Sequence, residues 1–315
     1  MGTFHRQLRK ADLHLHLEGS IEPETLHELA PRISIDEIRT RYHYRDFQGF
    51  LQSFKWVTEQ LKTPEDYAFV TRRLLERLES ENIQYAEITL SAGVVLRRGQ
   101  QLERVYEAVR CETQLSRIQV WWLFDAVRQF GTEAAMRVAE IAAGLVRDGV
   151  VGFGVGGDEA RAPAALFVDV YRFAHSKGLR LTAHAGETAG PESIWDALRV
   201  GAERIGHGIR AIEDRALVRY LRDHAIPLEV CVSSNLATGV VNAIEAHPLR
   251  CLFDAGVPIV LGTDDPGMFG TSLTREYELA SEAFGFSEAE LHQLSENSFR
   301  YAFRPVAEPP LAQAI

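Results

Sequence analysis

The sequence predicts an α/β protein, a (β/α)8 barrel in which eight parallel strands are ringed by helices. Three observations carry that expectation. Strand-like and helix-like segments alternate from the beginning of the chain almost to its end. Polar side chains stand at the end of nearly every strand, which suits a closed ring that gathers all strand ends on one face. Composition does not shift along the 315 residues, so one domain covering 1–315 is expected. A doubly wound open sheet is the main rival. It would draw its polar residues from a few adjacent strands and would more often place a phosphate-cradling loop after the first strand.

The first strand holds Leu13-His14-Leu15-His16-Leu17-Glu18-Gly19. Its two histidines are separated by one residue, so they leave the same face of the backbone and both can reach one metal ion. Hydrogen-bonded core histidines are the bland alternative, whereas a tag remnant does not fit leucines that alternate with the histidines. Residues 21–30 read as a short helix opened near Pro23 and interrupted by Pro31. From 35 to 63 the pattern is helical and rich in rings: Tyr42, Tyr44, Phe47, Phe50, Phe54 and Trp56. These are expected to bury against the main body, to wall a pocket, or both. Residues 21–64 are accordingly expected to form a helical lid inserted after the first strand.

Thr63 caps the next helix, with Pro64 at its first position and Asp66 three residues beyond the cap, and the helix runs through Leu78. Strands at 84–91 and 118–125 then flank a helix at 100–115. The alternation continues with a helix at 132–147, a glycine-rich strand at 150–158 and a helix at 162–177. A strand at 179–187 and a helix at 192–200 precede a strand at 204–208 and a helix at 213–223. Strands at 226–235 and 258–265 bracket a helix at 246–255, and helices at 274–285 and 288–303 close the barrel. Pro305, Pro309 and Pro310 predict an irregular tail after Arg304.

Composition narrows the partners. A net charge of -10 disfavours a protein that grips a nucleic-acid backbone but leaves a nucleoside or free base open as a small-molecule substrate. The three cysteines, Cys111, Cys231 and Cys251, have no paired spacing and are odd in number, which suits a reducing compartment. Neither an export signal nor an apolar run long enough to cross a bilayer is present, so a cytoplasmic protein without membrane partners is expected. Nothing in the sequence sets its oligomeric state.

The chemistry-bearing residues fall at the predicted strand ends. His184 lies in Thr182-Ala183-His184-Ala185-Gly186-Glu187, His207 in Gly206-His207-Gly208, and Asp264 and Asp265 in Thr263-Asp264-Asp265-Pro266. Imidazoles and a carboxylate are suitable zinc ligands that leave room for a water. Any one of these residues has an ordinary structural reading, because a lone histidine is often a core hydrogen-bonder and paired aspartates often cap a helix. Their joint placement on one face points to a metal site.

Taken in order, His14-x-His16, His184-Ala-Gly-Glu187, Gly206-His207-Gly208, Ser233-Ser234-Asn235 and Thr263-Asp264-Asp265-Pro266 resemble the adenosine deaminase family of the amidohydrolase superfamily. The resemblance spans nearly the whole chain. It implies an amidohydrolase-type barrel that holds one Zn²⁺ per chain and hydrolytically replaces a purine amino group by oxygen, with release of ammonia. It further implies His14, His16, His184 and Asp264 as zinc ligands, Glu187 as proton donor to ring N1, and His207 as partner of the metal's water. Asp264 also counts with Glu187 and His207 in the catalytic set. Asp265 would meet N7, Gly157 would meet N3, and Glu18 would meet the sugar hydroxyls of a nucleoside. A salt bridge from Glu18 to Arg41 or Arg45 is the alternative for that carboxylate.

Two absences sharpen the expectation. Gly154-Val155-Gly156-Gly157-Asp158 offers no bridging lysine at the fourth strand, so one metal is expected rather than two. No Pro-Cys-x-x-Cys of the cytidine-type deaminases occurs. The first expectation for the substrate is adenosine or a 5′-modified adenosine. Val232, where a proline is usual, together with Ser234-Asn235 and a compact lid, keeps adenine and aminodeoxyfutalosine open as alternatives, the latter being an adenosine analogue of menaquinone synthesis with a 5′ aromatic extension. A catalytically inactive purine-binding protein is the remaining alternative.

Overall fold

The computed structural model describes residues 2–305, so the expected irregular tail lies outside the described residues except at Pro305. Eight strands form one ring in the order β1 to β8. They are β1 (Lys10–His16), β2 (Ile83–Leu90), β3 (Gln119–Val127), β4 (Val150–Gly156), β5 (Arg180–Ala185), β6 (Arg204–His207), β7 (Leu228–Val230) and β8 (Ile259–Leu261). Every neighbouring pair is parallel. The ring closes just beyond β8, where the Asp264 N–H donates to the His14 carbonyl and the His16 N–H donates to the Asp264 carbonyl, both at 2.8 Å. This is the (β/α)8 barrel, and the open-sheet rival is ruled out by that closure.

The strands are buried along almost their whole length, so alternate residues face either the helices or the barrel axis. Large side chains on the axis need relief from their neighbours. His14 finds it between two glycines: a Cβ on Gly206 would lie 2.7 Å from His14 Cε1, and one on Gly262 would lie 2.7 Å from His14 Cβ. Leu, Ile, Val and Ala fill the layer between strands and helices.

Local chemistry sets the helix starts. Thr63 Oγ1 accepts from the Asp66 N–H, and the Asp66 carboxylate accepts from the Thr63 N–H at 2.8 Å, forming a reciprocal cap for the helix Pro64–Ser80. The single helical stretch expected over 35–63 is instead two helices, Ile35–Arg41 and Phe47–Thr58. Asp46, with extended backbone, accepts from the Gly49 N–H at 2.8 Å and starts the second helix afresh.

The seventh and eighth strands are shorter than expected. β7 stops at Val230, and Ser233-Ser234-Asn235 belong to a short helix, Val232–Ala237. The buried Glu276 carboxylate accepts the N–H groups of Val232 and Ser233, which diverts the chain from strand to helix. β8 stops at Leu261, and Asp264 takes a left-handed φ of 62°. Among the described residues no helix is long and apolar enough to cross a membrane.

Candidate active site and metal centre

His14 and His16 lie on β1, His184 on β5, His207 ends β6, and Asp264 follows β8. Barrel closure brings all five to the C-terminal rim of the strands. Ligating atoms of His14, His184, His207 and Asp264 lie within 4.8 Å of one another. His16 joins them, with Nε2 at 3.3 Å from Asp264 Oδ1 and 3.1 Å from His184 Nε2. Two non-glycine residues here, His207 and Asp264, have left-handed backbone (φ 61° and 62°), a costly conformation that clusters at functional sites.

The donor set fits a zinc ion. His14 Nε2 is buried with no hydrogen-bond partner, an orphan whose burial costs free energy unless a ligand takes it. His16 and His184 turn ring nitrogens toward each other, an arrangement that a shared cation relieves. Burial opposes a charge on His14, yet Asp264 and Glu229 still hold its pKa well above the usual imidazole range.

Each group has a fixed support. Glu229 Oε2 lies 2.8 Å from His14 Nδ1, and Arg204 Nε donates to Glu229 Oε1 at 2.5 Å. Arg204 also pairs with Glu87 and lies 3.6 Å from the Phe303 ring centroid, so a buried ion network runs beneath the site to the far end of the barrel. Ser234 Oγ donates to Asp264 Oδ2 at 2.6 Å. Glu159 accepts the N–H groups of Gly186 at 2.7 Å, Glu187 at 3.0 Å and Thr188 at 2.9 Å, anchoring the turn that presents Glu187.

Glu187 lies 3.7 Å from His207 Nε2, and burial, with the Asp264 and Glu159 charges, holds its pKa well above the carboxylate range. That direction favours the protonated form of the carboxyl. Asp265 is likewise held high by burial and Asp264, and its Oδ1 is buried without a partner. Gly157 has φ 96°, and a Cβ there would meet Gln129 Oε1 at 2.4 Å.

Glu187, His207, Asp264, Asp265, Gly157, His16 and His184 all face a cavity of about 470 Å³. Glu18 does not. It is fully buried, and its carboxylate accepts the Ser91 N–H at 3.1 Å, so it reaches the cavity only through Ser91. The alternative salt bridge to Arg41 or Arg45 does not form: Arg41 pairs with Glu37, and both Glu18 oxygens lie within hydrogen-bond reach of the Ser91 N–H. Phe47, Phe50, Leu51 and Phe54 line the cavity while packing on the core, so both expectations for the aromatics hold. Glu229, Glu159 and Asp125, a buried carboxyl on the cavity wall pushed up to about 7 by burial, were not singled out from the sequence. A glutamate inside the apolar run Leu228-Glu229-Val230 was the available signal for the first.

An eight-stranded parallel barrel carrying imidazoles and a carboxylate at one rim defines a metal-dependent hydrolase of the amidohydrolase type. Within that class the chain belongs to the adenosine deaminase family, whose profile matches residues 9–309. It is 39% identical over 305 residues to an adenine deaminase of Rhizobium leguminosarum bv. trifolii, covering 94% of this chain and 95% of that protein. It is 35% identical over 320 residues to an aminodeoxyfutalosine deaminase of Streptomyces avermitilis, covering 97% and 89%. A zinc-bound amidohydrolase structure from Burkhoderia ambifaria superposes with TM-score 0.88 at 26% identity, covering 96% of this chain and 88% of that one. The protein is a metal-dependent hydrolytic deaminase of a cyclic amidine, and the ring it acts on is an adenine.

Proposed function

We propose that this deaminase acts on an adenine carrying a large substituent on its sugar side, the aminodeoxyfutalosine class. The observation that carries the reading is the cavity. Its 470 Å³ is far more than one purine ring fills and falls in the range of drug-sized ligand sites, roughly 300–1,000 Å³. Away from the metal-site residues it is lined by Phe47, Phe50, Phe54 and Phe130, on which an aromatic extension stacks. Lys55, Arg97 and Arg98 also line it, and Arg98 Nε is buried without a hydrogen-bond partner, which suits an acidic group on that extension. Residues 21–64 act in this reading as the lid. Adenosine, the first expectation, has less support than the alternatives, because the relatives compared act by name on adenine and aminodeoxyfutalosine.

In this reading His14, His16, His184 and Asp264 hold one zinc. The bound ion supplies Lewis acidity and lowers the pKa of a water toward roughly 7. The chain's own groups do the rest. Glu187 donates its proton to ring N1, quenching the negative charge that builds on the ring as C6 is attacked. Asp265, in its protonated form, donates to N7, and the Gly157 N–H donates to N3, so the ring is fixed edge-on against Glu187. His207 and Asp264 orient the attacking oxygen.

A second reading, free adenine, is favoured by the higher identity to an adenine deaminase and by a Glu18 carboxylate that does not face the cavity. Ammonia release by the zinc-loaded protein decides between them. With adenine, adenosine, 5′-methylthioadenosine and aminodeoxyfutalosine compared, kcat/KM is expected to be greatest for the last. A preference for adenine would overturn the proposal.

A further inference from the structure

The cluster contains five candidate ligands, and His207 differs from the other four in what stands behind it. Its Nδ1 lies 3.2 Å from the Asn235 side-chain nitrogen. The Asn235 side-chain oxygen lies 3.1 Å from His247 Nε2. His247 Nδ1 lies 3.2 Å from the backbone nitrogen of Leu249. All three side chains are buried, at 1%, 0% and 4% exposure for His207, Asn235 and His247, so bulk water does not compete for these bonds.

The direction of the whole chain follows from its last member. A backbone N–H only donates, so His247 Nδ1 is an acceptor and carries no proton. The ring proton of His247 is then on Nε2 and is donated to Asn235. The Asn235 atom receiving it must be the carbonyl oxygen, so its amide nitrogen faces His207 and donates to Nδ1. His207 Nδ1 is in turn an acceptor, and the remaining ring proton sits on Nε2, 3.7 Å from Glu187 Oε2 and 3.9 Å from Asp264 Oδ2.

We infer that Asn235 and His247 are positioning residues that lock neutral His207 in its Nε2–H tautomer, making it a hydrogen-bond donor to the reacting oxygen and excluding it from the metal's ligands. An imidazole binds a metal through an unprotonated nitrogen, and the only such nitrogen of His207 is engaged by Asn235. The same lock prevents His207 from accepting a proton at Nε2. The inference rests on the deaminase assignment for the reaction but not on which adenine compound is the substrate.

The direct test is the ring tautomer. Zinc-loaded protein with 15N-labelled histidine is expected to show a neutral His207 protonated at Nε2, assigned by the signal lost in His207→Gln. A proton at Nδ1, or a doubly protonated ring, would overturn the inference. Asn235→Asp supplies the second readout, because a carboxylate accepts from both histidines and moves the His207 proton to Nδ1. Its kcat is expected to fall about 10²–10³-fold, the loss typical of one transition-state donor. Native kcat in that variant would also overturn it. His207→Gln is expected to bind zinc as tightly as the parent, and a loss of zinc affinity there would return His207 to the ligand set. Should Asn235→Asp fail to fold, the tautomer and zinc measurements still decide.

Discussion

Replacing Glu229 by glutamine is expected to weaken zinc binding although Glu229 is not itself among the proposed ligands. In the parent its two carboxylate oxygens serve two donors, the His14 Nδ1–H at 2.8 Å and Arg204 Nε at 2.5 Å. Glutamine has one acceptor oxygen and one amide nitrogen in the same space. If the oxygen faces His14, the amide nitrogen opposes Arg204, and a buried guanidinium donor is left unpaired. If the oxygen faces Arg204, the amide donates to His14 Nδ1, which moves the ring proton to Nε2 and occupies the nitrogen that the metal needs. Loss of such an outer partner of a ligating histidine typically costs about 10–100-fold in metal affinity. That is roughly 1.4–2.8 kcal/mol. Breaking one side of a buried charge pair costs about 3–5 kcal/mol of stability, so the melting temperature should drop too. The assay is competition for zinc against a fluorescent chelator, with melting followed by circular dichroism. A Glu229→Gln protein that binds zinc as tightly as the parent and melts with it would refute the reasoning.

Two further perturbations probe separate parts of the structure. Glu159→Ala strips three backbone N–H groups of their acceptor on the turn that carries Glu187, so kcat should fall by about 10²-fold while zinc content is kept; steady-state kinetics with metal analysis checks this, and an unchanged kcat would remove Glu159 from that role. Glu290, on the exterior, is lowered from 4.5 to about 2 by Arg250 and by the Ser287 cap of its helix. A lowered carboxyl stabilises the fold above its unfolded value of 4.5 and loses that contribution as pH falls toward 2. The melting temperatures of parent and Glu290→Gln should therefore differ at pH 6 and converge by pH 2, and a constant gap would contradict the assignment.

The sequence by itself determined the barrel and the set of polar residues gathered at its rim. His14 and His16 share a face because strand periodicity is two. His184, Glu187, His207, Asp264 and Asp265 are chemically distinctive residues at the ends of recognisable strands, and a closed barrel gathers such ends on one rim. The helix cap at Thr63 was legible for the same reason, since its hydrogen bonds join residues three apart. What only the tertiary structure decided depends on partners far apart in the chain. Glu229 supports His14 across 215 residues, Glu159 holds the 186–188 turn, and Glu276 bends the chain after β7 so that Ser234 and Asn235 meet Asp264 and His207. That the Glu18 carboxylate accepts the Ser91 N–H, 73 residues away, was likewise invisible in its motif. Local pattern reports which face a side chain leaves, because that is a property of one strand or helix. Which buried donor meets which buried acceptor is a property of the closed barrel, since register and closure bring distant residues together and burial then requires each polar atom to be paired.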